Sequence, residues 1–421
     1  MPLSPPLVAS TTTFPDLRIN CDRMLHRLDQ LAQIGAIDGG GVCRLALTDE
    51  DKAGRDLVVS WMKDLGLTVT IDQLGNVVGT RPGVEAGPPV MTGSHIDTVA
   101  TGGRYDGNLG VLAGLEVIET LNDQNLQTRY PLAVAFFTNE EGARFHPDMM
   151  GSWAFSGGLP VTEALAAVGS DGTTVAENLT RIGYAGPVPC GSQLVKAFAE
   201  LHVEQGPVLE QEGIQIGAVT GVQGMSWQEF TVKGVSNHAG TTPMALRHDA
   251  GYGASVIAVA ARALALAMGG NQVATVGRIQ LLPGLVNVIA KEARLTVDLR
   301  NTDAELLKQA EAEMQAKIEA IAATEGLTVT SRSLARFEPV TFDADLVNLV
   351  AQTAETLGFT VKPMPSGAGH DAGLIAAIAP TAMIFVPSVD GISHNVKEYT
   401  APQDLENGAN VLLQVLLKLA L

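Results

Sequence analysis

The spacing of apolar positions changes character twice along the chain. Residues 20–67 place them mostly at helical intervals, and the run Asp38-Gly39-Gly40-Gly41 interrupts that pattern with a loop. No Gly-Lys-Ser/Thr follows these glycines, so they read as a turn and not as a phosphate cradle. Short β-branched runs come next, at 68–71, 76–80, 89–93 and 132–138, with a helical stretch at 109–122 between the last two. Strands alternating with helices predict an α/β sheet. Within it, Leu132-Ala133-Val134-Ala135-Phe136-Phe137 is apolar at every position, the pattern of a central strand covered on both faces.

Near Gly217 the pattern shifts. Residues 226–233 and 272–282 read as strands, 250–268 and 304–324 as helices, and in 292–300 Leu295, Val297 and Leu299 alternate toward one side. Two helices with about four strands predict an α+β insert. Beyond Arg332 the mixed pattern returns, with an apolar strand at 382–387 and an amphipathic helix at 409–421. The expected organisation is one domain formed by 1–218 and 333–421, split by an inserted domain at 219–332. Hinges are expected near 218–221 and 331–333.

Composition narrows the function classes. A chain of 421 residues suits two domains, and 46% apolar with only 17% charged residues excludes intrinsic disorder. Counting 27 basic against 45 acidic residues gives −18, which repels phosphate backbones and anionic membrane surfaces, so neither nucleic acid nor membrane is expected as a partner. Cys21, Cys43 and Cys190 are far apart and form no CxxC, which predicts a reducing, cytoplasmic setting and no thiolate metal site. The N-terminal Met-Pro-Leu-Ser-Pro-Pro lacks the basic start and apolar run of a secretory signal. The longest apolar stretch, 254–268, is interrupted by Arg262 and falls short of the ~20 residues of a bilayer span, so it reads as a packed helix.

Candidate metal chemistry sits where apolar runs end. In Gly93-Ser94-His95-Ile96-Asp97-Thr98, His95 and Asp97 share one side of an extended segment, where a carboxylate can hold a metal-binding imidazole by its second nitrogen. Taken alone, the same residues also make an ordinary polar turn. Asp106 precedes a helix and suits either a metal or an N-cap. The adjacent carboxylates of Glu140 and Glu141 cannot point the same way, so one can bind metal while the other addresses water above it. His202, in His202-Val203-Glu204-Gln205-Gly206, follows a helix-like run, and His394 follows the strand at 382–387. Five such donor clusters suit two carboxylate-bridged divalent ions, with zinc favoured by imidazole and manganese, cobalt or nickel tolerated.

Together with Asn237-His238-Ala239-Gly240-Thr241-Thr242-Pro243, Gly367-Ala368-Gly369-His370-Asp371 and Asp390-Gly391-Ile392-Ser393-His394, these motifs resemble the hydantoinase/carbamoylase-type amidases. That family includes N-carbamoyl-L-amino-acid hydrolase, β-ureidopropionase and allantoate amidohydrolase, within the larger dimetal aminoacylase and carboxypeptidase superfamily. The resemblance implies an α/β, dimetal aminopeptidase-like catalytic domain with a mixed central sheet, and an inserted α+β domain serving as dimerisation and lid domain. It makes Asp106 the bridging carboxylate, His95 and His202 its partners on one metal, Glu141 and His394 those on the other, and Glu140 the general base. It further implies a homodimer in which His238 reaches the partner subunit's active site, assisted by Asn287. Arg300 is implied as the clamp for a substrate carboxylate, and Gln205, Gly367 and Gly369 as further substrate contacts. Peptidase relatives usually carry an acid where His202 stands, which disfavours an ordinary aminoacylase or dipeptidase. The implied activity is metal-dependent hydrolysis of the linear C–N bond of N-carbamoyl-L-amino acids or N-carbamoyl-β-alanine, releasing amino acid, ammonia and carbon dioxide. Allantoate hydrolysis is the alternative, and Val396, where many relatives have Pro, leaves that choice open. A non-catalytic binding protein on the same scaffold would lack a ligand or the base, and none of these residues is missing.

Overall fold

The computed structural model describes residue 14 and residues 16–421. In chain order they form α1 (Cys21–Ala32), α2 (Asp49–Asp64), β1 (Thr68–Ile71), β2 (Val77–Arg81), β3 (Val90–His95), α3 (Asn108–Asp123) and β4 (Leu132–Phe137). Three short helices, α4 (Met150–Phe155), α5 (Val161–Ala166) and α6 (Val175–Ile182), lead to β5 (Ala197–Val203), α7 (Val208–Glu212) and β6 (Ile216–Val222). Next come β7 (Gly224–Lys233), α8 (Ala250–Met268), β8 (Val273–Leu282), β9 (Glu292–Asn301), α9 (Ala304–Glu325), β10 (Thr328–Phe337) and β11 (Val340–Thr341). The chain closes with α10 (Ala344–Thr356), β12 (Val361–Ser366), α11 (Asp371–Ile375), β13 (Thr381–Val386) and α12 (Pro402–Ala420).

Residues up to Thr220 and from Phe342 onward form one compact unit, and Gly221–Thr341 form the other. The chain re-enters the first unit nine residues later than the apolar pattern predicts. Residues 331–333 are not a hinge, because β10 pairs with β7 over its whole length, with a register shift between Ser333 and Ala335.

The large sheet is mixed, with strand order β1-β2-β4-β3-β5-β13-β6-β11, and β12 pairs β6 off that path. Its centre is parallel: β4 with β3, β3 with β5, and β5 with β13. Antiparallel strands flank it, β2 beside β4 and β6 beside β13. The central strands are buried at every position, because helices such as α3 and α12 cover the sheet. From β3 the chain goes by way of α3 to β4 on one side, while β5 lies on the other side, so the carboxyl ends of these strands open a crevice at a switch point.

One expectation is overturned, and the C-terminal helix packs more deeply than its pattern suggests. The run before His202 is strand β5, not helix. The C-terminal helix keeps its polar stripe, yet Asn407 to Leu417 are buried all round. Its polar residues face inward and meet the N-terminal segment: Asn410 accepts from the Ile19 N–H, and Gln414 donates to the carbonyls of Phe14 and Leu17.

In the second unit the sheet runs β10-β7-β9-β8, all antiparallel. Phe230, Val232, Leu295, Val297 and Leu299 pack one face against Ile257, Ala261 and Leu264 of α8 and Leu307, Met314 and Ile318 of α9. Arg262 does not interrupt α8, which runs for 19 residues and is long and apolar enough by composition to cross a membrane. One stripe of it instead covers this sheet. Tyr252, Val259 and Leu266, seven apart on another face, are exposed at 54%, 70% and 72%.

Candidate metal centre and active site

The carboxyl ends of β3, β4, β5 and β13 bring the predicted donors together. His95 ends β3, Glu140 and Glu141 follow β4, His202 lies near the end of β5, and His394 follows β13. Asp106 sits on the loop between β3 and α3, and its two oxygens face different imidazoles. Oδ1 lies 3.6 Å from His95 Nε2 and 3.2 Å from His202 Nε2, while Oδ2 lies 3.5 Å from His394 Nε2. Glu141 Oε2 is 3.1 Å from His394 Nε2, and Glu140 Oε2 is 3.4 Å from His95 Nε2. The adjacent acids therefore address different histidines, as a strand end requires.

Asp106 is free for this because it caps nothing. The α3 helix starts after Gly107 with no side-chain cap. Gly107, at φ 66° and ψ −50°, centres a strained γ-turn in which the Asn108 N–H donates to the Asp106 carbonyl at 2.7 Å. A Cβ at Gly107 would come within 2.4 Å of the His95 ring, so only glycine lets the carboxylate and the imidazole approach each other here.

The hydrogen bonds of the imidazoles indicate where their lone pairs point. Nδ1 of His95 bonds the Asp97 carbonyl at 2.9 Å, and Nδ1 of His202 bonds the Val203 carbonyl at 2.9 Å. A carbonyl only accepts, so each Nδ1 carries a proton and Nε2 is the nitrogen left to face Asp106 or to give a lone pair to an ion. The Gly107 N–H donates to His202 Nε2 at 3.1 Å, as this tautomer demands. Imidazole nitrogens gathered around carboxylate oxygens at such range suit a cation between them. Two ligands about 2.0–2.1 Å from one tetrahedral ion lie about 3.3 Å apart, close to the spacings seen here. The residues fit divalent metal, and His95-Asp106-His202 and Asp106-Glu141-His394 form two groups able to hold it.

Asp97 works differently from the sequence expectation. Its main-chain carbonyl, not its carboxylate, holds the His95 imidazole. The carboxylate instead accepts from the N–H groups of Glu140 and Glu141, both at 3.3 Å, and so fixes the turn carrying both acids. Asn139, in the left-handed region at φ 58°, tightens that turn by donating to the carbonyls of Phe145 and Pro147.

The protein's own charges set unequal proton affinities. Burial holds the Glu140 carboxyl well above the usual range, with Asp371, Glu141 and Asp106 adding to it against the pull of His95. Burial also pushes Asp106 upward, but hydrogen bonds to His202, His394 and His95 outweigh it and hold Asp106 well below the usual range. The two acids are shifted in opposite directions, an arrangement suited to acid–base work.

Other predicted residues are distributed more widely. The Gln205 amide, on a left-handed backbone at φ 57°, donates to Asp106 Oδ2 at 2.8 Å and to Ser393 Oγ at 3.2 Å. Gly367 and Gly369 lie on the loop after β12, and a Cβ at Gly367 would meet open space. The following residue, His370, sets its ring edge-on to His202 at 4.5 Å and bonds Ser366. His238, Asn287 and Arg300 belong to the second unit. There the Ala239 N–H donates to the Asn287 carbonyl at 3.0 Å, joining the loops of His238 and Asn287. His238 Nδ1 accepts from the N–H groups of Gly240 and Thr241, so its proton is on Nε2 of an exposed ring. Arg300 pairs with Asp298 at 3.0 Å and lies against Trp227.

Sequence reasoning missed Glu200, whose carboxylate, fully buried behind His202, accepts from Ser94 Oγ and the Ala372 N–H. Two residues apart on a strand, Glu200 and His202 share a face, a signal visible only once β5 is read as a strand. It also missed Ser393 and Glu398, which bond around Asp106.

Comparison with known proteins agrees with this architecture. The sequence profile described as Peptidase family M20/M25/M40 matches residues 91–418, and the chain belongs to that family. An amidase of the hydantoinase/carbamoylase family from Burkholderia multivorans superposes with a TM-score of 0.94 at 47% identity, covering 96% of this chain and 99% of that one. An N-carbamoyl-L-amino-acid amidohydrolase of Rhizobium meliloti is 40% identical over 404 residues, 96% of this chain and 97% of its own. An allantoate amidohydrolase of Bacillus subtilis is 35% identical over 396 residues, 93% and 96% of the two chains. The protein is accordingly a hydrolase acting on amide bonds, of the hydantoinase/carbamoylase type.

Proposed function

We propose that the protein hydrolyses the linear C–N bond of N-carbamoyl-L-amino acids, or of N-carbamoyl-β-alanine, through two divalent ions held by His95, Asp106, His202, Glu141 and His394. The observation that carries this reading is the Asp106 carboxylate, with one oxygen toward His95 and His202 and the other toward His394. Zinc suits the imidazole-rich set, and manganese, cobalt or nickel are tolerated. Such ions, when bound, polarise the substrate carbonyl and lower the pKa of water from ~15.7 toward ~7.

The chain's own groups do the rest. Glu140 accepts the proton of the attacking water, and its raised proton affinity suits it to pass that proton to the leaving nitrogen. Asp97 keeps it aimed by gripping its main-chain N–H. The His238 Nε2–H, assisted by Asn287, is a donor for the developing oxyanion, and a lost donor of this kind typically costs ~2.7 to 4 kcal/mol. Arg300 exchanges Asp298 for the substrate carboxylate, which its planar fork can bind with two hydrogen bonds. One water per ureido group yields amino acid, ammonia and carbon dioxide.

We infer a homodimer, supported by the exposed apolar residues Tyr252, Val259 and Leu266 along α8. In it His238 serves the partner subunit's site. Mixing a subunit carrying His238→Ala with one carrying Glu140→Gln then leaves one intact site per heterodimer and restores part of the activity. No recovery in a verified heterodimer removes His238 from the partner subunit's site. The three free cysteines fit a reducing cytoplasm.

Ammonia release, measured across N-carbamoyl-L-amino acids, N-carbamoyl-β-alanine and allantoate with metal-replete protein, tests the substrate. The highest kcat/KM is expected for an N-carbamoyl amino acid. A preference for allantoate transfers the reading to allantoate hydrolysis, and release from none of them overturns it.

A further inference from the structure

Glu398 is buried at 6% exposure, four residues after His394. Its Oε1 accepts from two successive main-chain N–H groups, those of Tyr105 at 3.0 Å and Asp106 at 3.1 Å. Its Oε2 lies 3.3 Å from Ser393 Oγ, and that hydroxyl is also 3.0 Å from Asp106 Oδ2. One acid thus reaches both the backbone of Asp106 and, by way of Ser393, its side chain, across nearly three hundred residues of sequence.

The chain makes room for this contact. A Cβ at Gly103 would come within 2.2 Å of Glu398 Oε1 and 2.4 Å of its Cβ, so the β3–α3 loop can close over the carboxylate only with glycine at that position. A buried carboxylate is costly to desolvate unless hydrogen bonds compensate it, and here they go to the backbone of a candidate metal ligand.

The two donor groups depend on this clamp unequally. His95 and His202 lie on or at the ends of buried strands and have their Nδ1 atoms fastened to carbonyls. His394 has no such anchor: its side chain is 51% exposed, and both it and Asp390 have left-handed backbone, at φ 53° and 56°. Between Ser393 and Glu398, the contacts described above tie the His394 segment to Asp106.

We propose that Glu398 is a positioning residue that sets the register between Asp106 and His394, and through it the affinity of the Asp106-Glu141-His394 group for its ion. This rests on the dimetal reading given above and adds a residue to it. Glu398 touches neither substrate nor ion; it acts through the main chain of Asp106 and the hydroxyl of Ser393.

The test is zinc binding to the full-length chain, measured by competition with a chromophoric chelator for the unaltered protein, Glu398→Ala and Glu398→Gln. Unaltered protein binding fewer than two ions per chain counts against the dimetal reading itself. Given two ions, Glu398→Ala is expected to weaken one of them by about 10–100-fold, the usual effect of removing an outer hydrogen-bond partner, and to leave the other unchanged. Glu398→Gln keeps an oxygen able to accept both N–H bonds and is expected to bind both ions nearly as the unaltered protein does. Should the alanine variant fail to fold, Glu398→Asp withdraws the same oxygen by one methylene and is expected to show the same selective weakening. Equal weakening of both ions, unchanged binding in the alanine variant, or a glutamine variant as defective as alanine overturns the proposal.

Discussion

Replacing Glu140 by Gln is expected to lower kcat by on the order of 10²–10⁴-fold while leaving bound metal at the level of the unaltered protein. The side chain keeps its size and its place beside His95, but an amide cannot take a proton from water at neutral pH. Burial raises the proton affinity of this carboxyl, and the substitution removes that property without touching the two groups proposed to hold the ions. Steady-state ammonia release together with elemental analysis separates the alternatives. Near-normal turnover removes Glu140 from the role of base, and metal loss in parallel with turnover makes it a ligand.

The substitution with the largest expected effect is Asp106→Ala. Asp106 belongs to both donor groups, so its removal strips an oxygen from each, whereas Glu141→Ala would affect one. Both ions are expected to weaken by more than the roughly 10–100-fold typical of losing an outer hydrogen-bond partner, with hydrolysis falling to background. Retention of one tightly bound ion would show that the carboxylate does not bridge. The Gln205 amide and the Ser393 hydroxyl, both bonded to Asp106 Oδ2, would then lose their common acceptor.

Much of the fold is legible in the sequence where burial and local preference agree. The β-branched run at 68–71 coincides with β1, and the uniformly apolar 132–137 with β4. Strand β5 is misread because Ala197-Phe198-Ala199-Glu200-Leu201-His202-Val203 is rich in helix formers. Its neighbours β3 and β13 supply the hydrogen bonds that make it a strand, and a lone sequence does not display them. The late return to the first unit has a similar origin. Strand β10 is an edge strand of Ser, Thr and Arg, exposed along most of its length, so no apolar alternation announces it.

The site divides in the same way. The candidate donors are legible because oxygen and imidazole side chains stand where apolar runs stop, and parallel strands gather those ends at one edge of the sheet. What holds the donors is less visible. The Asp97 carbonyl on His95, the Val203 carbonyl on His202 and the main-chain N–H groups gripped by Asp97 and Glu398 are backbone contacts, which no residue type advertises. The Glu204 side chain illustrates the converse. It stands within a family motif, yet its carboxylate accepts from the N–H groups of Val208 and Leu209, satisfying the start of α7.

The most direct test of the account is a zinc titration of chelator-stripped protein, reading ammonia released from an N-carbamoyl-L-amino acid against ions bound per chain. Stripped protein is expected to release none, and the rate to reach its plateau when two ions are bound. Undiminished release with no ion bound would contradict the account.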